Sequence, residues 1–519
     1  MYQLKACIVS LVLLTFVLCV PAQKVSPTAK PSPDAPGTSA EPSPRPTPER
    51  RREIVDLLND ARLAAPELAV DTFLRVVESK KVTAPAWRKE IIEEALRMTD
   101  DVQYPMPMRP AYGGKVERNN ELLDTEEFVL LAGLAAKLDR LSLKSRVIAL
   151  LLETEPARAK QMIFQMRGDL ELKPRSCEDA LTYAPEDIYS VVAQVAKATF
   201  TEQQIADGQR ALFVAPWIEN IQSPRQISPA LDLVQQLQGS AVERQILFNA
   251  AAGAIDRNFK DDRSFTYAWD GITARTGKLI AGDSDPLKSS LKNAFRGMLL
   301  KNLTGTRCTD NAIKKDDPLP DYIEDANKLF PEKPLTIEDV VTSEVAGTAK
   351  LTHILKKSTM ALRFRDESIA LRDTPIVNNK RVNHDVNDLE WVSRVNEYVD
   401  RVLSFDGVDG ETESEMLFLK AAMLGGTLSG IEPGDLRKSI VRKYLRLLSA
   451  STLQKTSFVE WRWWLADLRG RDPESFDEIA AEFPNTNLKV MLVVKKVLGD
   501  PNKKTPPPPD AKAAEATKP

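Results

Sequence analysis

The chain has 519 residues, with 71 Lys and Arg against 74 Asp and Glu, and a formal net charge of -3. So even a balance gives no global basic field to hold a polyphosphate, which argues against nucleic acid as a partner. Charged residues at 28% beside apolar residues at 43% are ordinary for a soluble helical protein, and the length allows about three domain-sized units.

Read from the start, Lys5 precedes the uncharged run "ACIVSLVLLTFVLCV", and Val20-Pro21-Ala22 puts small residues where a signal peptidase cuts. The run is short for a membrane span, so residues 1–22 are expected to be a signal peptide cleaved after Ala22, the alternative being a retained anchor. A cleaved chain is exported to the periplasm or beyond and is not an integral membrane protein. Residues 23–48, rich in Pro, Ser and Thr, have little to bury against their ordering entropy and read as a disordered linker. Residues 499–519, with "TPPPPDAKAAEATKP", read as a disordered tail.

Between these ends helix signals dominate. Ile54, Leu57, Leu58 and Ala61 fall on one helical face, as do Leu68, Thr72, Phe73, Val76 and Val77 in the next stretch. Pro66 separates them, and its fixed φ and missing N–H suit a helix's first turn while discouraging helix in the residue before. The same device is expected to start helices at Pro85, Pro156, Pro185, Pro229, Pro286, Pro433 and Pro473, several preceded by a Ser or Asp able to cap. Short connections of this kind make antiparallel neighbours, so the expected fold is all-α, with tandem antiparallel helical hairpins forming an irregular α-solenoid or helical bundle.

Two stretches interrupt that text. "DDVQYPMPMRPAYGGKVERNN" reads as a loop or lid, and the proline- and charge-rich 305–334 holds at most a short helix. The expected division is a helical-hairpin domain at 49–335 and a second helical domain at 336–498. Near its end "LKVMLVVKKVLG" fits a helix or a strand.

Cys7 and Cys19 leave with the signal peptide, so Cys177 and Cys308 form an even pair in an exported chain, and a disulfide between them is expected. The two histidines, His353 and His384, lack zinc-ligand spacing. His384 beside Asp385, Asn387 and Asp388 reads as a polar turn before a helix at Trp391 rather than a cation site. In "SFVEWRWWLADLRG", Phe458, Trp461, Leu465 and Leu468 share a core-facing side. Trp463 lies elsewhere on that helix and is the interaction candidate, either packing a second helix or anchoring a partner.

The stretches "LDRLSLKSRVIALLLETEPARAKQMIF", "DDRSF" and "TRCTDNA" resemble a loose group of secreted α-helical bacterial proteins. That resemblance implies export and helicity and carries no activity with it. Lytic transglycosylases of the cell wall place a serine after their catalytic glutamate; Glu367-Ser368 is similar to that first piece of their pattern alone. The expected function is therefore an exported helical scaffold that binds a protein or cell-envelope ligand. No residue is assigned a catalytic, cofactor-binding or metal role. The alternative is a cell-wall-acting enzyme of lytic-transglycosylase-like type.

Overall fold

The structure, a computed structural model, describes residues 50–103, 107–108, 115–118, 121–124, 136–170, 180–181, 183–257, 259, 264–282, 285–303, 319–340, 359–372, 376–377, 380–381, 387–407, 413–451 and 458–498. The amino-terminal apolar run, the linker, the tail and both cysteines of the expected disulfide lie outside them.

Helix α1 spans Arg52–Arg62 and α2 spans Pro66–Glu78. Their predicted faces are buried, and the short connector 63–65 folds α2 back onto α1 with Pro66 in its first turn. The chain continues through α3 (Pro85–Met98), α4 (Arg140–Leu152), α5 (Pro156–Met166), α6 (Pro185–Thr199) and the short α7 (Glu202–Ala206). After these come α8 (Gln209–Glu219), α9 (Pro224–Gln236), α10 (Ala241–Ile255), α11 (Ser264–Ile280) and α12 (Pro286–Asn302). Two shorter helices follow, α13 (Leu319–Asn327) and α14 (Ile337–Val340).

Each helix from α1 to α12 packs on a chain neighbour and most also on the helix beyond it. One row runs α2, α4, α6, α9, α11, α13, and a second runs α8, α10, α12, α14. The boundary expected near residue 335 falls in the connector between α13 and α14, whose Leu335 N–H donates to Asn327 Oδ1 at 2.7 Å; α14 itself packs on α12.

A second set begins with α15 (Thr359–Arg372), α16 (Leu389–Ser404) and α17 (Glu413–Leu428), and continues with α18 (Asp435–Ala450), α19 (Phe458–Arg471) and α20 (Pro473–Ala480). Its rows are α15, α17, α19 and α16, α18, α20. The fold is all-α; short antiparallel ladders join Pro107–Met108 to Ala180–Leu181, Lys115–Arg118 to Glu121–Asp124 within the expected loop, and Ile376–Val377 to Lys380–Arg381.

The ambiguous segment near the end is a helix, α21 (Thr486–Leu498), and it packs on α1 and α2. Asn487 Oδ1 accepts from the Ala65 N–H at 2.7 Å, Lys489 Nζ meets Asp60 Oδ1 at 2.8 Å, and Lys81 Nζ donates to the Val497 carbonyl. This accounts for a departure in α2, where Glu67, Ala69, Val70, Asp71 and Leu74 are buried along with the predicted stripe. A helix buried all round needs cover on every side. Here α1, α3, α4 and α21 supply it.

Proline marks helix starts less uniformly than expected. Pro66, Pro85, Pro156, Pro185, Pro286 and Pro473 open helices, and the Asp285 and Asp472 side chains cap two of them by accepting from Lys288 N and Ser475 N. Pro229 instead lies inside α9, because Ser223, Pro224 and Gln226 form a capping box that starts the helix earlier. Pro433 stands ahead of α18, whose first residue is Asp435.

Asp139 caps α4, with Oδ1 accepting from Ser142 N at 2.9 Å, yet Oδ2 is buried without a hydrogen-bond partner. Burial raises its carboxyl from the ordinary 3.8 to about 6, against the opposing effect of the Ser142 hydrogen bonds. A carboxyl whose pKa is higher folded than unfolded contributes stability that is complete below pH 3.8 and lost as pH rises through about 6. Urea unfolding of Asp139→Asn, which keeps a capping oxygen, should show a flatter stability curve than the parent between those values. Identical curves would remove Asp139 as the cause.

Candidate functional site

Two features stand out on the helical framework, a cleft on α10 and the ion-paired contact between α2 and α4. The cleft arises from side-chain size. Ala250, Gly253 and Ala254 are small, so α10 is locally thin between Ile246 and the carboxy-terminal end of α8. The result is an open cavity of about 460 Å³, with Asn249 at its edge and Glu219 and Arg257 at one end. Arg257 is held in place by donating to the backbone carbonyls of Ile221 at 2.6 Å and Glu219. Between α6 and α8, Tyr189 Oη donates to the Trp217 carbonyl at 2.8 Å, and the two rings meet edge to face at 6.4 Å.

A corner nearby keeps α8 and α10 in register. Arg210 forks onto Glu243 at 2.9 and 2.7 Å, the Glu243 side chain is fully buried, and the Gly239 N–H donates to the same carboxylate at 3.0 Å. A Cβ at Gly239 would stand 2.7 Å from Arg210 Nη2 and 2.8 Å from Glu243 Oε2, so the close approach itself requires glycine. Nothing in the local sequence paired Arg210 with Glu243. The only signal was Ser240 three residues before Glu243, the spacing of a capping box, and Ser240 Oγ does accept from Glu243 N at 3.1 Å.

The aromatic helix α19 is built as a wedge. Phe458, Trp461, Leu465 and Leu468 are buried as expected, with Trp461 Nε1 donating to the Leu448 carbonyl at 2.8 Å. Trp464 is buried too, edge to face with Phe418 at 4.9 Å, and was not anticipated. Trp463 is half-buried, packs on the hydrophobic core and meets the Trp464 ring at 4.2 Å.

Beside it, burial lowers the Arg462 guanidinium from its ordinary pKa, with Asp71 opposing that effect and Arg75 and Arg146 adding to it. Arg146 bridges Asp71 at 2.7 Å and Glu78 at 2.8 Å, tying α4 to α2. Among the described residues neither Arg75 nor Arg462 forms an ion pair.

The other sequence candidates resolve individually. Cys177, Cys308, His353, His384 and Asp385 lie outside the described residues. Asp388 caps α16, accepting from Glu390 N and Trp391 N, which is the polar-turn role. Glu367 sits on the surface of α15 with its carboxylate accepting from Arg401, and Ser368 is buried.

Among the described residues no cluster of His, Cys, Asp and Glu could hold a metal ion, and no helix is long and apolar enough to cross a membrane. No family model matches the chain, and neither a curated protein nor a solved structure matches it.

Proposed function

We propose that the protein is an exported helical scaffold that binds a protein ligand at the cell envelope along the α10 cleft. The observation that carries this reading is the run of small side chains, Ala250, Gly253 and Ala254, which opens a cavity between an apolar wall at Ile246 and a polar end at Glu219 and Arg257. A surface that combines apolar floor and fixed polar groups suits recognition of another chain. The exposed rim of α8 and α10 adds apolar area, since Leu212 and Val242 are both solvent-facing. Export to the periplasm or beyond rests on the amino-terminal sequence, and a Cys177–Cys308 disulfide is consistent with that compartment. Trp463, half-buried on α19, is a second contact residue in this reading.

The alternative, a cell-wall-acting enzyme, gains nothing from Glu367, whose carboxylate is engaged by Arg401.

Gly253→Trp tests the proposal cleanly. A Cβ at this position meets nothing within 4 Å, so the indole should fill the cleft without disturbing α10. Crosslinking in whole cells should capture an envelope protein with the parent chain and lose it with Gly253→Trp. Equal capture by both would sink the cleft as the binding face. Peptidoglycan clearing in a zymogram by the parent chain would sink the scaffold reading in favour of the enzyme.

A further inference from the structure

The α10 cleft is one end of a longer groove, because α8 and α10 pack side by side and run in the same direction. At their starts the backbone of Gly208 lies so close to α10 that a Cβ there would stand 2.7 Å from Val242 Cγ1 and 3.1 Å from Ile246 Cδ1. At their ends the Arg257 side chain reaches across to the Glu219 and Ile221 carbonyls. From Val242 to Arg257 the groove follows α10 for about four turns, or about 22 Å at the usual helical rise.

Its two ends differ in character. The first is apolar and open, with Leu212, one turn beyond Gly208, 61% exposed and Val242 47% exposed. The second carries charge. Two helices end there, each with roughly half a negative elementary charge from its aligned peptide dipoles, and the Arg257 guanidinium offsets the pair of them. Asp256 adds nothing, since Lys301 holds it at 2.6 Å. Glu219 is exposed in the last turn of α8, forms no ion pair among the described residues, and remains as net negative charge.

We propose that this groove receives an amphipathic helix of a partner protein, apolar along one side and carrying a lysine or arginine that meets Glu219. The inference rests on the reading of the cleft as a binding face and adds what binds there. Both walls are helices whose backbone N–H and C=O groups are spent within themselves, so they offer an extended peptide no ladder to join. A helix arrives with its own backbone satisfied. Side chains at i, i+4 and i+7 on such a helix cover the apolar end and fill the cavity of about 460 Å³ at Gly253, and a basic group near its end supplies the charge that Glu219 lacks.

A library of random peptides, each about fifteen residues long, selected on the full chain and depleted of those that also bind Gly253→Trp, tests the proposal. The surviving sequences should share apolar residues at helical spacing and a lysine or arginine near one end, and a synthetic copy should gain helical circular dichroism on binding. Its affinity should fall by about ten-fold or more on Glu219→Lys and by less on Glu219→Gln. Changing its basic residue to glutamate should restore binding to Glu219→Lys. The variant keeps its fold, because position 219 is exposed at a helix end that favours lysine. No survivors, survivors without helical spacing, or binding indifferent to the charge at 219 would overturn the proposal. If whole-cell capture is lost in Gly253→Trp yet unchanged in Glu219→Lys, the cleft stands and the basic helix falls; capture indifferent to Gly253→Trp removes the cleft itself.

Discussion

Phe73→Ala should cost about 3–5 kcal/mol in urea unfolding, because the ring is fully buried in α2 and its removal leaves a cavity among well-packed neighbours. Where the damage travels is the sharper result. In an array whose contacts run only between chain neighbours, loss of hydrogen-exchange protection would fade along the sequence from α2. The packing of α21 on α1 and α2 predicts otherwise. Protection should fall in residues 52–78 and also in 486–498, while α9 to α12 keep theirs. Exchange measured by mass spectrometry on Phe73→Ala checks this, and an unaffected α21 would contradict the packing.

Glu243→Ala should be of similar severity, about 3–5 kcal/mol, for a different reason. It leaves the Arg210 guanidinium, only 9% exposed, without its forked acceptor, and strips the Gly239 N–H of its partner. Replacing both partners with apolar residues of similar size, Arg210→Met with Glu243→Leu, should recover much of the loss, since the pair's attraction is offset by the cost of removing two charges from water. Chemical unfolding of the two single variants and the double variant measures this. If the double variant is as unstable as the sum of the singles, the buried charge is not the cause.

Local signals made most helices legible. The spacing of Ile54, Leu57, Leu58 and Ala61 needs no tertiary knowledge, and Asp285-Pro286 and Asp472-Pro473 carry capping acceptor and helix start in two residues. Pro229 misled because a capping box at Ser223 starts the helix six residues earlier and leaves Pro229 inside it. What stayed hidden depends on distance along the chain. Asp71 and Glu67 lie off the apolar stripe of α2 and are buried because distant groups reach them, Arg146 of α4 for Asp71 and the Gln103 N–H for Glu67. The Arg210–Glu243 pair joins positions 33 apart in the chain, which no periodicity records. Trp463 was legible as lying off the core stripe, whereas the burial of Trp464 next to it needed the Phe418 ring of a neighbouring helix.

The hydrogen bond between Ala65 and Asn487 spans 422 residues, and its consequence concerns the order of synthesis. When α1 and α2 leave the ribosome, the helix that completes their cover has yet to be translated. The part of their surface that α21 covers must wait until more than four hundred further residues have appeared. At the usual pace of about 5–20 residues per second, that wait is tens of seconds. A chain that ends before residue 486 would leave uncovered the part of α1 and α2 that α21 packs against.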